Sequence, residues 1–131
     1  MTAPVFLMVV LSVSLSALAQ ISLKAGMAAV TAERALSQKG ADASIGAPLA
    51  ALGSAFTQPY VLLGLGLYGL GAMVWMLVLA KLDVSVAYPF VALGFVVVMV
   101  LGAVAFGEPV TLAKLFGTMM VGAGVWLIAR G

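Results

Sequence analysis

Long apolar runs alternate with short polar interruptions along the whole chain. Four runs are almost free of charged residues, at 4–24, 60–80, 84–106 and 111–129. A helix needs about 20 apolar residues to cross the hydrocarbon core of a bilayer. Hydrocarbon offers the backbone no hydrogen-bond partner, so each run is expected to be helical. The pattern therefore predicts an all-α fold, a single four-transmembrane-helix bundle over residues 1–131.

The composition excludes a water-soluble domain. Of the 131 residues, 65% are hydrophobic and 8% are charged, whereas about 25% of the residues in a soluble domain are charged. The chain has neither Cys nor His, which removes disulfides, the commonest metal ligands and a Ser-His-Asp triad. We therefore expect no metal, no cofactor and no catalytic residue, so that the protein is not an enzyme. The net charge of +2 indicates no nucleic-acid surface.

The first run has a second interpretation, a cleaved signal peptide, because Leu18 and Ala19 before Gln20 resemble a small-residue cleavage site. A secretory signal opens with Lys or Arg, and residues 1–23 contain neither. We therefore expect the run to be kept as the first transmembrane helix.

Residues 25–59 are predicted to form a long loop, the one segment with a mixed polar composition. Within it, the first helix is expected to continue to about Gln38, with Gly40 as its cap. A short helix from Pro48 to Phe56 would then lie on the membrane surface. A loosely ordered linker is the alternative.

Polar side chains recur every four residues along the first run, at Ser12, Ser16, Gln20 and Lys24. This spacing places them on one face of a helix. Since hydrocarbon gives hydroxyls and amides no partner, the face should meet protein or a wet cavity. The polar groups either join helices by hydrogen bonds or face a substrate, and the closing lysine favours a substrate.

Aromatic side chains inside the second run and near the start of the third are candidates for the same cavity. Rings such as Trp75 and Tyr88 can hold an ammonium group by cation–π attraction. Packing against lipid is the equally favoured alternative for both.

The four acidic residues lie outside the runs or at their ends. A carboxylate that exchanges protons for a cationic drug has to lie within the membrane, and this chain has none there. Glu108, in the turn before the fourth run, is therefore predicted to be solvated or to cap that helix, with a coupling site as the alternative.

Three stretches together carry a family resemblance: SALAQISLK at 16–24, LDVSVAYP at 82–89, and FGEPV at 106–110, the last leading to GAGV at 122–125. On these residues the chain resembles the four-helix members of the drug/metabolite transporter superfamily, which include small multidrug resistance proteins and EamA-like half-transporters. Within it, the chain most resembles the bacterial aminoarabinose-phospho-undecaprenol flippase subunits. The resemblance covers nearly the whole chain except residues 31–58.

The resemblance implies a bacterial inner-membrane protein that works as an antiparallel homodimer or heterodimer of four-helix subunits. Small multidrug exporters carry an essential glutamate eight residues before the lysine, where this chain has Ser16. A hydroxyl there would line the central chamber but would not exchange protons, and the flippase-type subunits are similar in this respect. The candidate substrate-binding residues are Ser12, Ser16, Gln20, Lys24, Trp75, Tyr88 and Glu108.

The leading hypothesis is a flippase that moves a lipid-linked sugar phosphate, of the polyprenyl-phosphate amino sugar type, between leaflets. Its headgroup would cross through a polar slot while Lys24 binds the phosphate. Export of cationic drugs or metabolites is the second hypothesis, and a non-transporting four-span assembly subunit is the third. The expected partners are the amphiphilic substrate, membrane lipids and a second four-helix subunit.

Overall fold

The computed structural model describes residues 2–37 and 46–130. These residues form helices joined by short turns, without a strand, which confirms the all-α prediction. The elements are α1 (Ala3–Ser37), α2 (Gly46–Ala55), α3 (Pro59–Leu79), α4 (Val84–Ala87), a 3₁₀ helix (Tyr88–Ala92), α5 (Leu93–Phe106) and α6 (Leu112–Arg130).

Three helical stretches in the described part are long and apolar enough to cross a membrane: α1, α3 and the continuous stretch Val84–Phe106. The apolar part of α6, Leu112–Ile128, is shorter. It lies at the lower end of the roughly 17–25 residues that a spanning helix uses.

The first helix extends far beyond the predicted span. α1 has 35 residues, so it is about 52 Å long, whereas the hydrocarbon core is about 30 Å thick. The segment after Lys24 is therefore helical to Ser37, in agreement with the expected continuation of the first helix to about Gln38. The short helix expected in this region is α2, which begins two residues before Pro48, and Gly40 lies outside the described residues.

α1 packs mainly against α3, and two glycines allow the close approach. A Cβ at Gly26 would lie 2.5 Å from Val61 Cγ2 and 2.8 Å from the Val61 backbone nitrogen. A Cβ at Gly64 would lie 2.8 Å from Leu23 Cγ. Small residues allow such backbone contact between membrane helices, so these glycines set the spacing of the α1–α3 pair.

Two clusters of buried side chains connect the helices. The first joins α1 to α3, the 3₁₀ region and α6, and consists of Val9, Val13, Val78, Ala87, Phe90 and Val125. The second packs α2 against α1 and α3, and consists of Val30, Ala55 and Val61. Pro89 lies in the 3₁₀ helix, where its missing N–H interrupts α-helical bonding. Phe90, next to it, is buried in the first cluster.

The last helix is peripheral. α6 packs on the 3₁₀ helix and α5, and most of its described side chains are exposed. Phe116, Met119 and Met120 are each more than 60% exposed. In a membrane these apolar side chains face lipid or another subunit.

Candidate functional site

A cavity of about 520 Å³ opens between α1, α3 and the Val84–Phe106 stretch. We call it the central cavity. It brings together five of the seven predicted site residues, Ser12, Ser16, Gln20, Trp75 and Tyr88. None of the residues described as lining it is charged.

The polar side chains of α1 that line this cavity become more exposed along the helix, from Ser12 to Gln20. Ser12 is buried, 3% exposed, and its hydroxyl donates a hydrogen bond of 2.7 Å to the Gly71 carbonyl oxygen of α3. Ser16 is half-buried and Gln20 is exposed, and neither side chain makes a hydrogen bond within the described part of the chain. Ser12 therefore joins two helices, whereas Ser16 and Gln20 keep their hydrogen-bonding groups available to a ligand.

Gly71 places α3 close to this face. A Cβ at Gly71 would lie 3.1 Å from Ser16 Oγ and 3.3 Å from the Ser12 carbonyl oxygen. A side chain there would push the helices apart or fill the cavity beside Ser16. The absent side chain thus allows both the Ser12 hydrogen bond and the space next to Ser16.

The opposite wall is aromatic. Trp75 is half-buried, whereas Tyr68 and Tyr88 are 51% and 67% exposed. Tyr68 lines the cavity although it was not among the predicted site residues. It lies seven residues before Trp75, or two helical turns, and that spacing puts both rings on one face of α3. The wall offers ring faces to a cation and two phenol groups to a polar ligand.

Lys24 does not line the central cavity. Its ammonium group forms an ion pair with the Glu108 carboxylate and lies 4.7 Å from the centre of the Phe106 ring. The side chains of Lys24 and Glu108 are 52% and 38% exposed. The cation at the end of the polar face, expected to bind a phosphate, is therefore paired with a carboxylate from the α5–α6 turn.

The backbone of this turn determines where Glu108 lies. α5 ends at Gly107, which has a left-handed φ of 63°, a conformation that glycine adopts without strain. The Glu108 carboxylate lies beside Gly102, where an added Cβ would be 3.1 Å from Glu108 Oε2.

Glu108 is not the cap of the fourth helix. The hydroxyl oxygen of Thr111 accepts a hydrogen bond of 3.2 Å from the Lys114 backbone N–H, and so provides that cap. Of the two roles predicted for Glu108, capping is therefore wrong, because Thr111 directly precedes α6. A partly solvated carboxylate agrees with its 38% exposure.

A second groove, of about 410 Å³, runs between α5 and α6. Its wall is mostly apolar, with Glu108, Lys114 and Thr118 as its polar members. Phe95 and Val98 line both this groove and the central cavity. An apolar surface thus lies directly beside the polar cavity.

No family model matches the chain, and no solved structure matches it. Curated proteins named as probable 4-amino-4-deoxy-L-arabinose-phosphoundecaprenol flippase subunit ArnE do match. The chain is 41% identical to that of Pseudomonas fluorescens (strain Pf0-1) over 73 residues, which are 56% of this chain and 64% of the relative. It is 35% identical to that of Pseudomonas savastanoi pv. phaseolicola over 77 residues, 59% of this chain and 68% of the relative. With the Pseudomonas aeruginosa (strain LESB58) relative it shares 40% identity over 73 residues, 56% and 64% of the two chains. The chain thus spans about two thirds of the length of these relatives.

Proposed function

We propose that this chain, which belongs to the family of 4-amino-4-deoxy-L-arabinose-phosphoundecaprenol flippase subunits, moves a lipid-linked amino sugar between the leaflets of a membrane. The chain is a multi-pass protein of the bacterial inner membrane. The observation that carries the proposal is the central cavity, where free polar groups of α1 face aromatic rings of α3 and the 3₁₀ helix. The substrate class is a sugar linked through phosphate to a polyprenyl chain.

The sugar hydroxyls are the part of the substrate that hydrocarbon excludes most strongly. A hydroxyl taken from water without a partner costs about 2–7 kcal/mol. The side chains of Ser16 and Gln20 make no hydrogen bond within the described residues, and they line the cavity together with Tyr68 and Tyr88. We propose that these four side chains replace water around the sugar as it crosses.

The amino group in the name of the relatives suggests a role for the aromatic wall. A primary amine on a sugar is cationic at neutral pH, and a ring face attracts a cation by about 0.5–2 kcal/mol. Trp75, Tyr68 and Tyr88 lie in the cavity without a carboxylate among its described lining residues. Such a wall binds an ammonium group weakly enough to release it, which a transport cycle requires.

In this proposal the phosphate and the polyprenyl tail of the substrate lie on different sides of the central cavity. Lys24 follows Gln20 by one helical turn, about 6 Å along α1, and we propose that it binds the phosphate. The tail stays outside the polar slot. The groove between α5 and α6, which shares Phe95 and Val98 with the cavity, provides an apolar exit for it.

A second four-helix subunit completes the pathway in this proposal, as a copy of this chain or a similar protein packed antiparallel. The relatives are named as subunits. α6 also leaves Gly117 and Gly122 with open space where a side chain would be. Small residues on an exposed membrane helix suit close contact with another helix.

Removal of the polar groups at the cavity mouth tests the flippase function. Gln20→Ala combined with Lys24→Ala is expected to slow headgroup flipping in reconstituted liposomes by about threefold to tenfold. This is the effect expected from the loss of one or two partly exposed polar contacts. The matched control is Gln58→Ala combined with Lys81→Ala, which removes the same residue types outside both the central cavity and the α5–α6 groove. Wild-type flipping by the Gln20/Lys24 variant would remove this mechanism.

Export of cationic compounds is the second candidate, and the aromatic wall favours it. It requires proton-coupled uptake of a cationic dye that is lost in Glu108→Gln or Asp83→Asn.

A non-transporting assembly subunit, the third candidate, would instead tolerate apolar replacements at Ser16 and Gln20. The liposome experiment above separates it from the flippase.

A further inference from the structure

We propose that Glu108 occupies the phosphate site at Lys24 when no substrate is bound, and that the substrate phosphate displaces it. The inference rests on the proposed function, which makes Lys24 the phosphate contact. It goes further by giving Glu108 the role of an internal competitor that sets the affinity for the phosphate.

The ion pair joins two parts of the chain that only folding brings together. Lys24 belongs to α1 and Glu108 to the α5–α6 turn, 84 positions later. Both side chains are partly open to solvent, at 52% and 38% exposed. A partly exposed ion pair is a weak contact, so another anion can exchange with the carboxylate at small cost.

The site at Lys24 has a second support besides the carboxylate. The ammonium group lies 4.7 Å from the centre of the Phe106 ring, within the range of cation–π attraction. Phe106 is the last residue of α5, so its position does not depend on Glu108. The ammonium group therefore stays in place when the carboxylate leaves, and a phosphate oxygen can take the same position on it.

The turn allows the carboxylate to move without a change in the helix. The Glu108 carboxylate rests on the surface of Gly102, and within the described residues Lys24 is its ion-pair partner. Glu108 also lines the groove between α5 and α6. A displaced carboxylate therefore has an open groove to enter.

Binding of a polyprenyl phosphate to the purified full-length chain in detergent micelles, followed by native mass spectrometry, tests this competition. Glu108→Gln is expected to tighten binding about twofold to fivefold, the range that an exposed ion pair spans. Lys24→Gln should weaken binding, and Glu108→Gln should give no gain in that background. Such non-additivity is the signature of two groups that act on one site.

The controls separate competition from a general charge effect. Glu33→Gln makes the same charge change further along α1, and it should leave the affinity unchanged. Gly102→Ala keeps the carboxylate but adds a Cβ 3.1 Å from its present position. It should move Glu108 off Lys24 and reproduce part of the Glu108→Gln gain.

Unchanged or weaker binding by Glu108→Gln, or an equal gain in the Lys24→Gln background, would overturn the inference. If wild-type protein flips the lipid-linked sugar in liposomes while Glu108→Gln binds no tighter, the competition is wrong and the flippase function stands. If no variant binds the polyprenyl phosphate, the competition is wrong, and the flippase function is decided by the liposome experiment alone.

Discussion

Alanine at Gly26 or Gly64 is expected to lower the free energy of unfolding by about 1–3 kcal/mol at each position, the usual cost of overpacking. The added Cβ would lie 2.5 Å from Val61 Cγ2 at Gly26, and 2.8 Å from Leu23 Cγ at Gly64. At Gly26 the Val61 backbone nitrogen is also only 2.8 Å away, so a side-chain rotation alone gives no relief. Unfolding by sodium dodecyl sulfate in mixed micelles, followed by circular dichroism, measures the change.

Gly66→Ala and Gly69→Ala are the matched controls on the same helix. Neither position has a neighbour within 4 Å of the added Cβ. Alanine favours the helix over glycine by about 0.5–1 kcal/mol, so these variants should be as stable as the wild type or more stable. Equal losses at all four positions would contradict the close approach of α1 and α3.

Tryptophan at Ala72 is expected to reduce flipping by about thirtyfold or more, to the liposome background. Ala72 lines the central cavity and is exposed, so the large indole fills the space that the headgroup needs without disturbing the α1–α3 contact. A thirtyfold loss corresponds to about 2 kcal/mol, which lies within the roughly 2–7 kcal/mol that a hydroxyl without a hydrogen-bond partner costs. The rate is measured with a lipid-linked sugar in proteoliposomes.

Met73→Trp is the control for the added bulk. Met73 is the next residue along α3, is 61% exposed and is not among the cavity-lining residues. It should flip at the wild-type rate. Equal rates for the two tryptophan variants would show that the headgroup does not pass through this cavity.

The polar face of α1 could be predicted because its signal is local. A four-residue spacing fixes which side chains share a helix face, and Ser12, Ser16 and Gln20 do line one cavity. Their individual surroundings could not be predicted in the same way. Whether Ser12 meets the Gly71 carbonyl depends on how closely α1 and α3 pack. The seven-residue spacing of Tyr68 and Trp75, by contrast, is a local signal that places both rings on one helix face.

The partner of Lys24 could not be predicted from local pattern. The pair with Glu108 spans 84 positions and exists because the α5–α6 turn lies beside α1. The end of α1 could be predicted to within about one residue, although hydropathy alone does not mark it. Hydropathy marks where a helix leaves the hydrocarbon, but charged residues such as Glu33 and Arg34 are compatible with a helix that continues in water or among headgroups.

Thiol labelling tests most directly whether the polar face of α1 lines a substrate cavity. The chain contains no cysteine, so Ser16→Cys introduces a single reactive group. In membrane vesicles it should react with a water-soluble methanethiosulfonate, and a polyprenyl-phosphate amino sugar should protect it. Leu18→Cys, at a site 45% exposed outside the cavity lining, should stay unlabelled because it faces lipid. A Ser16 thiol as inert as the one at Leu18, or one that the lipid-linked sugar fails to protect, would contradict a headgroup cavity along α1.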